Sequence, residues 1–446
     1  MKISLVVPDF LSGTSFLQQP LDLLYASTML TKNGFETEII DCRVNHLSLS
    51  NLVLKLNNTD LAIITTTPCD QVQNYFLDYR YSYAINTINY VKNQLPKLPV
   101  AVCGAHVSVR PDLVLKEVYC DFYIKGEIIL TCVKLALAVA NKAGIDDVPN
   151  MIRRVGDMIV DNYYDADYYH PFLPDDVLPD YAKVPMQLYF GVKYINNIPI
   201  RRQKRAVIQS GRGCPFNCTF CHNYYGKQIR RRSAEVVALE LSICQNVYGI
   251  EEIFVLDEVF TLDKKWLIQL ENEMDRRGIN LELTIQTRVD CIDEEILAVL
   301  CKMGVKNIWL GVESANDKIL SASKKGIEIA MINNAIEKIR KTNIIPNAFF
   351  MLGMPGETVD TLNSTIEEIY KSKIPYTRSV MICTPRYNTP LYDMARQQYP
   401  FVEDHWFNLN AVRGLVNNDM TPAILQRAKS IFKNREFLYL DKAPKI

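Results

Sequence analysis

Three cysteines lie within eight residues near the middle of the chain, in the run GCPFNCTFCHN at residues 213–223. Cys214, Cys218 and Cys221 supply three thiolates, and closely spaced thiolates are the usual ligands of iron–sulfur clusters. Because a cubane [4Fe–4S] cluster has four irons, three thiolates leave one iron open to another ligand. Zinc is the alternative, but structural zinc normally takes four N or S ligands in paired C-x2-C units. His222 directly follows Cys221 and cannot easily reach the same metal, so the spacing favours a cluster.

The composition predicts a large globular chain. It has 446 residues, 48% of them hydrophobic, and its 50 basic side chains balance 50 acidic ones. This length predicts two or three domains with ample core. Zero net charge argues against binding to nucleic acid or to a membrane surface, since both normally need a basic excess.

The N-terminal run, the lengths of the apolar segments and the distribution of the cysteines indicate the cellular compartment. The N-terminal run MKISLVVP is too short for a signal peptide and is predicted to be a buried strand. No apolar run approaches the length of a membrane span. The 12 cysteines are scattered along the chain and do not resemble a disulfide framework. We therefore expect no membrane span and a reducing compartment, the cytoplasm.

Two series of alternating strands and helices must position these cysteines. The first series runs from residue 1 to about 145, with candidate helices at 21–32, 81–94, 111–117 and 130–140. Its candidate strands are Ile3–Val7, Glu36–Ile40, Leu61–Thr65, Val100–Cys103 and Phe122–Ile124. Short apolar strands joined by helices predict a parallel sheet covered on both faces, with ligands beyond the carboxyl ends of its strands.

The second series, residues 206–395, follows a connector at 146–205 that is rich in Tyr, Asp and Pro and contains a possible hairpin at 151–160. Its candidate strands are 206–209, 253–256, 283–286, 307–312, 348–352 and 378–382. Six strand–helix units predict an incomplete parallel barrel with its site at the carboxyl ends of the strands. Residues 396–446 are predicted to form a short helical segment.

Polar and glycine-containing motifs end several strands of the second series. Residues 311–314, GVES, offer close backbone approach at the glycine and hydrogen-bonding groups at the last two residues. Residues 353–356, GMPG, turn the chain sharply. Each motif alone is usually a turn or a helix cap. Their order after the three cysteines provides the groups that a nucleoside–amino acid cofactor needs.

This order, the C-x3-C-x2-C spacing and the aromatic residue before the last cysteine resemble the radical S-adenosylmethionine enzymes. In that family the open iron is chelated by S-adenosylmethionine, which is cleaved to a 5′-deoxyadenosyl radical. The resemblance implies that Cys214, Cys218 and Cys221 bind a [4Fe–4S] cluster. The implied S-adenosylmethionine contacts are Phe220, Asp257, Glu258, Gln286, Arg288, Glu313, Ser314, Gly353, Met354 and Pro355.

The first series resembles the cobalamin-binding branch of that family. Residues 102–108, VCGAHVS, are similar to its Gly-Gly-x-His-x-Thr pattern, but Cys103 replaces the first glycine. Residues 121–129, DFYIKGEII, are similar to its Asp-x-x-x-x-Gly-Glu-x-Glu pattern, but Ile128-Ile129 replaces the last part. Residues 383–392, CTPRYNTPLY, resemble its Pro-Gly-Thr-Pro-Leu-Tyr segment, with Asn388 in place of glycine. The implied cobalamin contacts are Thr65, Thr66, Gly104, Ala105, His106, Ser108, Gly126 and Glu127.

The implied architecture is α/β: a Rossmann-like, flavodoxin-type cobalamin-binding domain, a partial (β/α)6 barrel that forms the radical S-adenosylmethionine domain, and a short helical C-terminus. The Asp-x-His-x-x-Gly signature of many cobalamin proteins is absent around His46 and His106. We therefore expect cobalamin without a histidine ligand from the protein.

The resemblance implies an enzyme, most often a methyltransferase that acts on an unactivated carbon of a small molecule or peptide. An electron donor such as flavodoxin or ferredoxin is the implied partner. Three alternatives stay open: a cobalamin-dependent cyclase or rearrangement enzyme, a methylthiotransferase-like enzyme with a second cluster near Cys42, Cys69 and Cys103, and a non-enzymatic cobalamin carrier. The basic runs at 201–205 and 230–232 are either anion sites or solvated faces.

Overall fold

The computed structural model describes residues 1–9, 17–67, 78–156, 158–162, 177–195, 198–374, 376–398 and 420–433. The chain divides into two compact units. Unit 1 comprises Met1–Ile208, Arg230–Arg232 and Asn246–Glu251, and unit 2 comprises Gln209–Ile229, Ser233–Gln245 and Glu252–Ile446. Cys69, which was considered for a second cluster, lies outside the described residues.

Unit 1 contains a seven-stranded sheet in the order β2-β1-β3-β4-β5-β6-β7. Its strands are β1 (Lys2–Val7), β2 (Glu36–Asp41), β3 (Leu61–Thr65), β4 (Val100–Cys103), β5 (Phe122–Ile124), β6 (Met151–Val155) and β7 (Met158–Asp161). The first five run parallel, as predicted. The predicted hairpin is β6–β7, and it extends the sheet antiparallel to β5.

Helices connect the parallel strands of unit 1. They are α1 (Leu21–Lys32), α2 (Cys42–Asn45), α3 (Leu49–Leu56), α4 (Asp78–Gln94), α5 (Ala105–Val109), α6 (Pro111–Glu117) and α7 (Ile128–Val139). Strands β3 and β4 are buried along their whole length, which explains why they are continuous apolar runs in the sequence. Helix α1 ends where Gly34 takes φ of 81°, the left-handed conformation that glycine adopts without steric cost.

Unit 2 contains most of a six-stranded sheet in the order β10-β13-β14-β15-β16-β17. The remaining strands of the chain are β8 (Gly191–Ile195), β9 (Ile198–Gln203), β10 (Arg205–Ile208), β11 (Gly211–Arg212), β12 (Arg230–Arg231), β13 (Glu252–Val255), β14 (Glu282–Thr287), β15 (Val305–Glu313), β16 (Ile345–Leu352) and β17 (Tyr376–Ile382). Strands β13 to β17 run parallel. The six predicted strands and the partial barrel are confirmed.

Helices alternate with these strands. They are α8 (Ala234–Asn246), α9 (Lys264–Arg276), α10 (Glu294–Lys302), α11 (Asp317–Ala322), α12 (Ile329–Arg340), α13 (Val359–Ser372), α14 (Pro390–Gln398) and α15 (Pro422–Lys433). Helical periodicity in the sequence predicts that one apolar face of α12 is buried, made of Met331, Ile332, Ala335, Ile336 and Ile339. Four of these five residues are buried, but Met331 is 43% exposed. In the part of the chain that the structure describes, no helix is long and apolar enough to cross a membrane.

Candidate cluster and cofactor site

The three predicted cluster cysteines lie on one loop that follows β11, here called the cysteine loop (residues 213–222). Gly213 begins it with φ of 96°, and a Cβ there would lie 2.0 Å from a backbone carbonyl oxygen, so only glycine fits. The Cys214 N–H donates to the carbonyl of Gly226 at 3.1 Å, and the Cys221 N–H donates to that of Cys218 at 3.2 Å. These bonds fold the loop so that all three thiols are partly accessible.

The donor set of the cysteine loop fits a cluster. Burial raises the pKa of the Cys221 thiol to about 12 and also raises that of Cys214, and the neighbouring Cys218 adds to both shifts. Thiols in this state ionise when a metal binds them. Within the described ranges, no three His, Cys, Asp or Glu side chains converge on one metal ion. A cubane gives each of three thiolates its own iron, so three thiols on one loop fit such a cluster.

Two other loops of unit 2 hold the cysteine loop in place. The Thr219 N–H donates to the carbonyl of Ser323 at 2.9 Å, and the Leu391 N–H donates to the carbonyl of Thr219 at 3.1 Å. The His222 Nδ1 lies 3.1 Å from the carbonyl oxygen of Tyr387 and donates to it. Burial, assisted by the nearby Arg386 cation, lowers the pKa of His222 to about 4, so this histidine is neutral.

Phe220, the aromatic residue before the last cysteine, is partly buried. It packs against an apolar cluster made of Ile319, Met354, Cys383, Leu391, Tyr392 and Ala395. Asn388 in the same region replaces the glycine of the resembling segment and has φ of 58°. Asparagine tolerates this left-handed conformation better than most residues, so the substitution is compatible with the turn.

Two of the predicted cofactor residues, Asp257 and Gln286, are engaged within the protein. The Asp257 carboxylate is 2% exposed and accepts from the N–H groups of Ser210 and Gly211 at 2.7 and 3.0 Å, and from the Ser210 hydroxyl. The Gln286 side chain donates to the Asp257 carbonyl at 2.8 Å. These bonds tie the ends of neighbouring strands together beneath the cysteine loop. Glu258 is partly buried, and its charge contributes to the raised pKa of Cys214.

Arg288, at the end of β14, also makes several internal contacts. Its guanidinium donates to the Asp290 carboxylate at 2.9 and 2.8 Å and to the carbonyl of Lys325 at 2.7 Å. A further N–H points to the Sγ of Cys218 at 3.8 Å. The guanidinium carbon lies 3.6 Å from the centre of the Phe216 ring. Arg288 is therefore fixed beside the cysteine loop.

Glu313 ends β15 at an irregularity of the strand, where its φ is 68°. Its Oε1 lies 3.0 Å from the Nζ of Lys325, and both side chains are buried. Sequence reasoning missed Lys325, although a buried carboxylate normally requires a cationic partner. The adjacent Ser314 hydroxyl lies 3.3 Å from that of Thr365 on α13. The structure thus brings Glu313 close to the cysteine loop and directs Ser314 toward a helix.

The GMPG turn follows β16 and is held by Glu357, the residue directly after it. The Glu357 carboxylate accepts a hydrogen bond from the Gly353 N–H, and burial raises its pKa to about 7. Gly353 has φ of 80°, and a Cβ there would lie 3.0 Å from Leu425 of α15. Met354 is buried and Pro355 is half-buried. The turn is therefore compact, with its backbone close to helix α15.

The predicted cobalamin residues of unit 1 gather at the carboxyl ends of β3, β4 and β5. Gly104 has φ of 109°, and a Cβ there would lie 2.7 and 2.8 Å from the hydroxyls of Thr66 and Thr67. The Nδ1 of His106 lies 3.1 Å from the Thr66 hydroxyl, and the Ala105 N–H donates to that of Thr67 at 3.2 Å. Thr65 and His106 are both buried. Residues 65–67 and Gly104, which pack closely together, are called the threonine turn below.

The second predicted cobalamin motif lies nearby in the same sheet. Ser108 donates to the Gly104 carbonyl at 3.1 Å and accepts from the Gly126 N–H at 2.8 Å, which joins the two glycine loops. Glu127 forms a buried ion pair with Arg230. Arg232 is 2% exposed and donates to the Tyr25 hydroxyl at 2.7 Å. Arg230 and Arg232 are therefore buried and not solvated, and Arg230 is paired with an acidic side chain.

Cys42 and Cys103, considered for a second cluster, are buried thiols of unit 1. Burial raises the pKa of Cys42 to about 12, and the Cys103 Sγ lies 3.8 Å from the carbonyl oxygen of Ile64. Neither belongs to a metal-binding group of three among the residues the structure covers.

Comparison with known proteins gives a consistent set of relatives. Residues 208–369 match the family model of the Radical SAM superfamily. An uncharacterized methyltransferase of Pyrococcus horikoshii is 28% identical over 89% of this chain and 83% of its own length. The anaerobic magnesium-protoporphyrin IX monomethyl ester cyclase of Cereibacter sphaeroides is 25% identical over 99% of this chain and 71% of its own.

Two solved structures share the fold across most of the chain. The radical S-adenosylmethionine methyltransferase TsrM of Kitasatospora setae, with cobalamin and a [4Fe-4S] cluster bound, has a TM-score of 0.70 at 18% identity, covering 89% of this chain and 75% of its own. The cobalamin-dependent S-adenosylmethionine radical enzyme OxsB has a TM-score of 0.77 at 15% identity, covering 98% of this chain and 67% of its own. At these identities the likeness concerns the fold.

Proposed function

We propose that this chain is a cobalamin-dependent radical S-adenosylmethionine enzyme that methylates an unactivated carbon of a small molecule or peptide. The match of residues 208–369 to the Radical SAM superfamily model supports this proposal. The observation that carries the proposal is the cysteine loop, which holds three thiols at the carboxyl ends of a parallel sheet. When bound, the cluster and S-adenosylmethionine supply a 5′-deoxyadenosyl radical, and cobalamin supplies a methyl group.

Each thiol of the cysteine loop would hold one iron. The loop is backed by the carbonyl of Ser323 and by the N–H of Leu391, so the thiols are presented on a fixed backbone. Such preorganisation lowers the cost of assembling a metal site. Asp257 and Gln286 support this frame through the hydrogen bonds that they make at the strand ends.

Glu313 is the predicted S-adenosylmethionine residue that the geometry supports best. Its carboxylate is buried at the end of β15, where only one of its oxygens contacts Lys325. A carboxylate can accept several hydrogen bonds, so Glu313 retains capacity for an ammonium or for ribose hydroxyls. The backbone of the turn at Gly353 and the side chains of Phe220 and Glu258 complete the proposed contacts. Ser314, Met354 and Pro355 would contribute mainly by shaping the adjoining backbone.

The threonine turn of unit 1 is the proposed cobalamin site. Gly104 and Gly126 both have positive φ, and neither carries a side chain that would keep a flat ring at a distance. Thr65, Thr66, Ala105 and Ser108 would offer polar groups to the nucleotide tail or the corrin amides. The ion pair of Glu127 with Arg230 favours a supporting role for this glutamate. That TsrM and OxsB are described with cobalamin and share this fold supports the assignment.

A cyclase or rearrangement enzyme without methyl transfer is the second candidate. It is favoured by one observation, the likeness to a magnesium-protoporphyrin IX monomethyl ester cyclase over almost the whole chain. This second candidate would use the same cofactors as the methyltransferase. The remaining proposals are the four-segment division at residues 145, 205 and 395, a flavodoxin or ferredoxin as electron donor, a cytoplasmic location and the absence of a nucleic-acid partner.

The test is anaerobic reconstitution with iron, sulfide and cobalamin, followed by metal analysis and product assay. We expect about four irons and about one cobalt per chain, as one open-site cluster and one corrin require. We also expect 5′-deoxyadenosine to form when S-adenosylmethionine and a reductant are added. About eight irons without cobalt would instead support the second-cluster alternative.

The matched variant replaces Cys214, Cys218 and Cys221 by alanine together. It should lose iron and 5′-deoxyadenosine while it keeps cobalamin in unit 1. A triple variant with normal 5′-deoxyadenosine yield would overturn the proposal.

A further inference from the structure

We propose that Arg288 is a fixed hydrogen-bond donor to the Cys218 thiolate and that it thereby raises the reduction potential of the cluster, an inference that rests on the function proposed above. Arg288 and Cys218 lie side by side: the Nη1 of Arg288 donates toward the Sγ of Cys218, and the two atoms are 3.8 Å apart. Sulfur is a large acceptor, so this separation is within hydrogen-bonding reach.

The other donors of Arg288 hold it in this orientation. A guanidinium has five N–H groups in a planar fork. The Nε and Nη2 of Arg288 donate to the two carboxylate oxygens of Asp290, at 2.9 and 2.8 Å. The second NH2 proton engages the carbonyl of Lys325 at 2.7 Å. These three hydrogen bonds hold the planar guanidinium in place and therefore fix the direction in which Nη1 points.

Packing reinforces these hydrogen bonds. The guanidinium carbon lies 3.6 Å from the centre of the Phe216 ring, which is itself part of the cysteine loop, and Arg288 is only 4% exposed. Cation–π contact of this kind is stronger when water is excluded. A rotation of Arg288 away from Cys218 would break the bidentate pair, the bond to Lys325 and the contact with Phe216. The donor is thus rigidly placed.

The sign of the effect follows from charge. Reduction adds one electron to an already anionic group of sulfurs and irons, so a nearby cation and an N–H···S hydrogen bond stabilise the reduced state more than the oxidised state. Hydrogen bonds to the sulfurs and local net charge are among the determinants of cluster potential. The low exposure of the Arg288 side chain strengthens this interaction. Lys325 differs from Arg288, because its ammonium contacts Glu313 and not a thiol.

The experiment is a potentiometric titration of the reconstituted protein, monitored by electron paramagnetic resonance of the reduced cluster. It is performed without S-adenosylmethionine, so that a direct contact between Arg288 and the cofactor would not alter the result. Three variants are compared with the wild type. Arg288→Gln removes the cation, Arg288→Lys keeps the charge but loses the planar fork, and Arg276→Gln is an exposed control.

We expect Arg288→Gln to lower the ratio of reduced to oxidised cluster at fixed solution potential about tenfold, which corresponds to ~59 mV for a one-electron couple. Arg288→Lys should fall between this value and the wild type, and Arg276→Gln should match the wild type. Resonance Raman spectra should show an Fe–S stretching band that shifts in D2O in the wild type and not in Arg288→Gln.

The outcomes separate the two proposals. If the wild type binds no cluster, the proposed function and this inference both fall. If Arg288→Gln keeps its iron with an unchanged potential and an unchanged D2O shift, this inference falls and the proposed function stands. If Arg288→Gln does not fold, a wild-type potential in Arg288→Lys overturns the inference, and a lowered potential supports it.

Discussion

The Nζ of Lys325 lies 3.0 Å from the Oε1 of Glu313, and both side chains are buried at the end of β15. The pair explains why residue 311 is glycine, since a Cβ there would lie 2.8 Å from that Nζ and 2.9 Å from that Oε1. Burial by itself lowers the pKa of Lys325, but the charges of Glu313 and Cys218 together outweigh burial, so the net shift of this pKa is upward. The buried ammonium of Lys325 therefore depends on its contact with Glu313.

Replacing Glu313 should weaken S-adenosylmethionine binding. A lost hydrogen bond to a charged partner typically costs ~1.5–3 kcal/mol, so Glu313→Ala should bind the cofactor about ten- to a hundredfold more weakly with its iron content intact. Calorimetry on the reconstituted protein measures this. An affinity equal to that of the wild type would leave Glu313 with a structural role only.

The same pair makes a separate prediction for stability. Removing one partner of a buried ion pair leaves the other charge uncompensated and typically costs ~3–5 kcal/mol. Glu313→Gln and Lys325→Met should each lower the free energy of unfolding, and the double variant should lose less than the sum of the two. Urea unfolding of the metal-free protein gives all three values. Additive losses would show that the two side chains do not interact.

The threonine turn predicts a steric effect at Gly104. An alanine Cβ would lie 2.7 Å from the Thr66 hydroxyl, and overpacking of this kind typically costs ~1–3 kcal/mol. Gly104→Ala should therefore lower the midpoint of thermal unfolding and weaken cobalamin retention. Gly156→Ala is the matched control, because Gly156 also has positive φ but has open space around it. Equal effects of the two substitutions would argue against a crowded turn at Gly104.

Glu357 predicts a pH dependence of stability. Burial raises its pKa from 4.5 to about 7 in the folded chain, so folding favours the protonated form. Its contribution is complete below pH 4.5, shrinks as the pH rises and is lost once the pH passes about 7. The shift corresponds to roughly 3 kcal/mol.

Wild type and Glu357→Gln should be compared by urea unfolding from pH 4 to 8. The wild type should lose stability relative to the variant across this window, because the glutamine cannot ionise. A constant difference between the two would show that folding does not shift the pKa of Glu357.

His106 should not ligate cobalt. Its Nδ1 lies 3.1 Å from the Thr66 hydroxyl, its ring centre lies 4.7 Å from that of Tyr81, and its side chain is buried. We expect the electron paramagnetic resonance spectrum of the cobalt(II) form to lack nitrogen superhyperfine splitting from His106 and from His46. A nitrogen pattern that disappears in His106→Ala or His46→Ala would contradict this.

Much of the fold was predictable because its signals are local. The strands of both sheets are short apolar runs between helices, and the observed strands match the predicted segments with shifts of up to three residues at their ends. The cysteine loop was predictable because its three thiols lie on one short segment. Gly34 and Asn388 also behave as their residue types predict.

The side-chain partnerships were not predictable, since each joins residues far apart in the chain. Sequence patterns placed Glu313, Arg288 and Glu127 at strand or loop ends, but they gave no indication of Lys325, Cys218 or Arg230 as their partners. Met331 shows the same limit, because helical periodicity assigned it to the buried face and packing left it exposed. Which of several apolar residues is covered depends on neighbours that the local pattern does not specify.

The supports of the cysteine loop bear on how the protein matures. Thr219 is bonded to a residue 104 positions later, and His222 to one 165 positions later. A ribosome therefore releases the three thiols into the cell well before their backing loops exist, and contacts between distant segments form late. Iron that is delivered during synthesis would meet three thiols whose positions are not yet fixed and which have little preference for one metal. The preorganisation of the three thiols therefore depends on segments that are synthesised after them.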